Sequence, residues 1–217
     1  MMASLFSSFD PSSKMFQMNW MMMISPMIML PMKFWMKKSR WTKMKKKLEK
    51  KISMEIMNNT KHKEMLMMSM SMFYIIMINN MMGLFPYNFT STSHPSISIS
   101  LALPMWMMLM MYGWMKFTKS MLIHLLPTGT PNMIMPMMII IEITGNIIRP
   151  MSLSIRLTAN MIAGHLMMTL LGNMNQINKI IFILPIQMGL MSFETAISII
   201  QAYVFMTLIS LYSSEIP

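Results

Sequence analysis

Two arginines, Arg149 and Arg156, stand inside a run of residues that otherwise belongs in hydrocarbon. Arginine keeps its charge at any physiological pH, and placing it at a bilayer centre costs at least about 2.5–3.5 kcal/mol. The same run carries Glu142 ahead of the arginines and Asn160 and His165 behind them. Glu142, Arg149 and Arg156 recur every seven residues. On an α-helix that spacing keeps them in one stripe, with only about 20° of drift per repeat. Asn160, one turn past Arg156, stays near the stripe, whereas His165 turns roughly 180° away from Arg156. Further along, Glu194, Gln201 and Glu215 are again separated by multiples of seven. Charge held in a membrane marks a path for ions or protons, and a histidine, which titrates near neutral pH, suits the proton.

The elements that must position these groups are helices. Apolar runs over residues 15–32, 65–85 and 99–115 read as membrane spans. Two longer ones, 132–171 and 180–212, are joined by a polar turn ending at Lys179. At about 1.5 Å per residue each long helix would measure roughly 50 Å against about 30 Å of hydrocarbon, so it must tilt or bend. Pro136, Pro150 and Pro185 offer the places to do so. The expected architecture is an all-α polytopic membrane protein of about five or six membrane helices in one domain, 1–217. The last two are long, strongly tilted and paired in a hairpin. An antiparallel hairpin centred near residue 179 would set Arg156 opposite Gln201, Glu142 opposite Glu215 and His165 opposite Glu194.

The chain has 217 residues, 54% of them hydrophobic and 12% charged, which leaves no room for a separate soluble catalytic domain. Its 41 methionines and absent cysteine serve no packing need, because Leu or Ile would specify a core better. An AT-rich organelle gene that reads an extra codon as Met would produce that bias. The first residues form neither a signal peptide nor an Arg-rich transit peptide, which fits synthesis inside the organelle.

A net charge of +11 invites a nucleic-acid reading, but twelve of the 18 basic residues fall in the segment 33–63. Trp41, Met44, Leu48, Ile52 and Ile56 recur there at helical spacing. We therefore expect a basic amphipathic helix on the membrane face that also obeys the positive-inside rule, with lipid and not nucleic acid as its partner. If this segment marks the inner face, His165 and Glu194 lie toward the outer side and Glu142 and Glu215 toward the inner one.

The motif Asn146-Ile147-Ile148-Arg149-Pro150, continuing through Arg156-Leu157-Thr158-Ala159-Asn160 to Ala163-Gly164-His165, resembles subunit a of the F-type ATP synthases in its mitochondrial form. Glu194, Gln201-Ala202-Tyr203, the opening Phe9-Asp10-Pro11 and His124-Leu125-Leu126-Pro127 extend the resemblance over most of the chain. Gly145, where serine is usual, and Thr128, where glutamine is common, depart from the pattern without removing a charge.

The resemblance implies a non-catalytic proton-translocating subunit with no cofactor or metal. Its partners would be a ring of c subunits, other membrane-sector subunits and the peripheral stalk, in the mitochondrial inner membrane. It makes Arg156 the arginine that faces the ring and blocks a direct leak. It places His165 and Glu194 in the half-channel from the outer side and Glu142 with Glu215 at the outlet. Gln201 is implied to pack close to the arginine, with Asn160 beside it. Arg149 reads equally as functional or as a snorkelling side chain, Glu215 equally as an outlet group or a solvated tail, and His94 and His124 as loop residues.

Competing classes lack their marks. No Gly-x-x-x-x-Gly-Lys-Ser/Thr loop is present for ATP, no inverted repeat for a self-contained transporter, and no His-Glu-x-x-His for an intramembrane metal enzyme.

Overall fold

The computed structural model describes residues 6, 9–12, 17–29, 37, 39–60, 63–85, 88–126, 131, 133–174 and 180–215. A 3₁₀ segment, Met18–Ile24, runs into the short helix α1, Ser25–Met29. There follow α2 (Arg40–Asn59), α3 (Lys63–Gly83), α4 (Pro95–Lys116), α5 (Thr118–His124), α6 (Met135–Asn173) and α7 (Ile180–Glu215). The architecture is all-α. Among the described residues four helices, α3, α4, α6 and α7, are long and apolar enough to cross a membrane. Of the segment 15–32, residues 18–29 are helical in two short pieces, and its two ends lie outside the described residues.

Local chemistry explains the boundaries. Ser39 caps α2, its Oγ accepting from the Thr42 backbone N–H at 3.3 Å. Pro95 opens α4, where its missing N–H is no loss. Within the apolar helices serine and threonine hydroxyls donate back to carbonyls of their own helix, as Ser98 does to Pro95 and Ser154 to Met151. Those hydroxyls are thereby satisfied within their own helices. Pro104, Pro150 and Pro185 each lie inside a helix and remove one ladder bond.

The two long helices, 39 and 36 residues, measure about 58 and 54 Å at 1.5 Å per residue. They run antiparallel, with Asn160 on Gln201 and Gly164 on Glu194. Each packs more extensively on a preceding helix than on the other, α7 on α3 and α6 on α4. The core where they converge holds Phe73 and Ile76 of α3, Met105 and Leu109 of α4, Leu153 and Leu157 of α6, and Phe205 and Met206 of α7.

The basic helix α2 docks on this bundle at the end where α3 begins. Ile56 is buried in the core and Ile52 packs against it, whereas Trp41, Met44 and Leu48 stay exposed. The apolar stripe read from the sequence is therefore shared between protein and surroundings. Two acidic residues fasten the helix: the Tyr74 hydroxyl donates to Glu49 at 3.2 Å and the Tyr203 hydroxyl to Glu55 at 2.9 Å.

Candidate functional site

The buried stripe of α6 comprises Pro150, Leu153, Ser154, Leu157, Thr158 and Met161. The charged stripe runs beside it, with Glu142 and Arg149 half-buried and Arg156 and Asn160 exposed. Among the described residues Arg156 makes no ion pair or hydrogen bond. It faces outward from the bundle among Ile155, Ser152 and Ala159, which are exposed as well. Arg149 instead stacks on α7, its guanidinium carbon 5.0 Å from the centre of the Tyr212 ring, a cation–π contact. Glu215 closes α7, and its side chain lies outside the described residues.

Asn160, not Arg156, is what Gln201 holds. The Asn160 amide donates to Gln201 Oε1 at 3.0 Å, one helical turn from the partner that hairpin symmetry gives. Gln201 is 6% exposed, and its own Nε2 has no hydrogen-bond partner among the described residues.

Glu194 is 8% exposed on α7, and its carboxyl lies against Gly164 of α6. A β-carbon at 164 would stand 3.0 Å from Cδ and 3.2 Å from Oε1, so the missing side chain is what admits the carboxyl. His165, the next residue, is half-buried, and its Nε2 donates to the carbonyl of Gly83, the last residue of α3, at 2.9 Å. His165 therefore turns from Arg156 and toward the end of α3 remote from α2, about 30 Å along a helix of this length.

Two cavities meet at Glu194. One, about 880 Å³, is walled by the N-terminal segment, the chain after α3, His165 and Thr169 of α6, and Gln187 and Glu194 of α7. The other, an inner cavity of about 190 Å³ among α3, α6 and α7, is lined by Asn80, Asn160, Ser198, Gln201 and again Glu194. Among the described titratable residues only Glu194 belongs to both walls. Among the described residues buried Asn80, with neither amide atom bonded, Gln201 Nε2 and Glu194 Oε1 retain unspent hydrogen-bonding capacity around the inner cavity. The rest of that wall is apolar, with Leu157, Met161, Met167 and Phe193 among its residues.

Asn80 and Ser198 were not singled out in the sequence. The signal for Asn80 is the doublet Asn79-Asn80 in an apolar run. Asn79 reaches across to α1, its Oδ1 accepting from Ser25 at 3.4 Å, while Asn80 lines the cavity. His94 is the N-cap residue of α4, packed between Trp20 and Phe89 at 5.3 and 5.4 Å. His62 and the side chain of His124 lie outside the described residues.

Residues 15–214 match the family model described as ATP synthase A chain. The chain is 44% identical to ATP synthase subunit a of Locusta migratoria and 45% identical to that of Drosophila melanogaster, with both partners covered in full in each comparison. The chain belongs to the ATP synthase subunit a family. Aedes albopictus supplies a further relative at 44%, again over the whole of both chains. The arginine run, Gly164-His165, Glu194 and Gln201 all fall inside the span matched by the family model.

Proposed function

We propose that the chain is a proton-translocating, non-catalytic subunit of ATP synthase in the mitochondrial inner membrane, encoded by the organelle. It works in the membrane sector with a ring of c subunits and the peripheral stalk. The observation that supports this most is the position of Glu194, buried between a wide cavity and a narrow one that reaches Asn160 and Gln201.

In this reading a proton from the outer side enters the wide cavity, passes His165 and reaches the Glu194 carboxylate. It leaves through the inner cavity, between Asn80, Ser198, Asn160 and Gln201, toward the exposed flank of α6. There a carboxylate of the ring receives it, neutralises and moves off into lipid. Arg156, exposed on that flank, supplies a fixed positive charge that favours the deprotonated form of each arriving ring carboxylate. It cannot relay a proton itself, so it separates the two halves of the path. The outlet runs past Glu142 and Glu215. A membrane potential of 100 mV supplies about 2.3 kcal/mol per charge moved through it. ATP chemistry then resides on other chains, and rotation of the ring couples the two.

The test is a double-mutant cycle on proton-driven ATP synthesis. His165→Ala and Glu194→Gln interrupt one path, so their losses should not add. The exchange His165→Glu with Glu194→His should retain more activity than either His165→Glu or Glu194→His alone. Strictly additive losses, with the exchange worse than both, would show that the residues work independently.

A further inference from the structure

The mouth of the wide cavity carries a carboxylate from a different part of the chain. Asp10 lines it together with His165 and Glu194, the other titratable groups in that wall among the described residues. Asp10 is itself exposed. Its position is fixed from behind: His94 Nε2 donates to the Phe9 carbonyl at 3.0 Å. The Phe9 ring also meets the His165 ring edge-on, at 6.0 Å and 83°. His94 is in turn held between Trp20 and Phe89. A segment that could trail into solvent is thus latched across the mouth at two points, and the residue after the latch is acidic.

We infer that Asp10 is the proton-collecting group of the inlet, positioned there by the Phe9–His94 latch. The inference rests on the proton-path reading above. A proton donor in the outer aqueous phase protonates the Asp10 carboxylate. The proton then passes inward to the Glu194 carboxylate and leaves Asp10 ionised for the next one. No bond other than those to the proton changes. A negative charge at the mouth of a low-dielectric cleft concentrates cations and raises their arrival rate, here on the order of tenfold at the low end of such focusing. The benefit is greatest where free protons are scarce, and mobile buffer can replace it.

The experiment uses the assembled complex in its membrane and measures proton-driven ATP synthesis per assembled complex at several outer pH values, in dilute and in concentrated buffer. Asp10→Asn should lose up to about tenfold at alkaline outer pH in dilute buffer, and concentrated buffer should restore it. Asp10→Glu should stay near the parent. His94→Phe, which keeps a ring but removes the donor, should reproduce the buffer-dependent loss. Glu194→Gln should fail in both buffers.

A parent-like rate for Asp10→Asn under every condition, or a loss that concentrated buffer leaves untouched, overturns the role of Asp10 even if Glu194→Gln behaves as stated. A normal rate for Glu194→Gln overturns the underlying path. Because rates are taken per assembled complex at two buffer strengths, a variant that assembles poorly still decides the matter.

Discussion

Gly164→Ala should separate folding from proton transfer. Its new β-carbon would stand 3.0 Å from Cδ of Glu194. Carbon atoms settle at about 3.5–4.0 Å, so the carboxyl must retreat by roughly 0.5–1 Å. It has somewhere to go, because Glu194 lines a cavity on each side. The α6 backbone need not shift, and alanine in a helix interior is favoured over glycine by about 1 kcal/mol. Assembly should therefore hold or improve. Transfer depends on placement, however, and an error near 1 Å in a reacting group can cost about a hundredfold. We expect proton-driven ATP synthesis per assembled complex to fall roughly ten- to a hundredfold. In a Glu194→Gln background Gly164→Ala should add no further loss. Unchanged turnover in the single variant, or a full additional loss in that background, would refute the reasoning.

Other outcomes follow from the same contacts. Asn160→Leu strands the buried Gln201 amide and should destabilise the complex by about 1–3 kcal/mol; Asn160→Leu with Gln201→Leu should recover thermal stability without recovering proton flow. Neutralising Lys45, Lys46 and Lys47 together should reduce assembly or invert topology, read by protease protection, while turnover per assembled complex stays intact. Tyr203→Phe removes one anchor of α2, worth about 1 kcal/mol or less at an exposed site, and should raise protease cleavage within Arg40–Asn59.

What the sequence discloses depends on how much each residue costs where it stands. Arg156 and Glu142 are conspicuous because charge in an apolar run is expensive whatever the fold. The helices are legible for a related reason, since hydrocarbon allows the backbone little else. Partnership across helices is another matter. Hairpin symmetry pairs Arg156 with Gln201, but the structure gives Gln201 to Asn160, one turn on. The register is set by the packing of α7 on α3 and of α6 on α4, which no spacing within the hairpin encodes. Asn80 escaped notice because an uncharged amide in a span carries little cost until α3 and α7 enclose it. Asp10 reads as a terminal residue until His94, 85 positions from Phe9, holds that segment down. Glu49 and Glu55, on a lysine-rich helix, look like intrahelical charge partners, and only the fold shows their tyrosines on α3 and α7.

The most direct measurement is ATP synthesis driven by an imposed proton gradient in membranes carrying Arg156→Ala. If Arg156 divides the path and sets the charge of each ring carboxylate, synthesis should vanish. Arg156→Lys should largely fail as well, because a compact ammonium can lose its proton and lacks the planar fork. Near-normal synthesis in Arg156→Ala membranes would contradict the assignment of this chain's proton path.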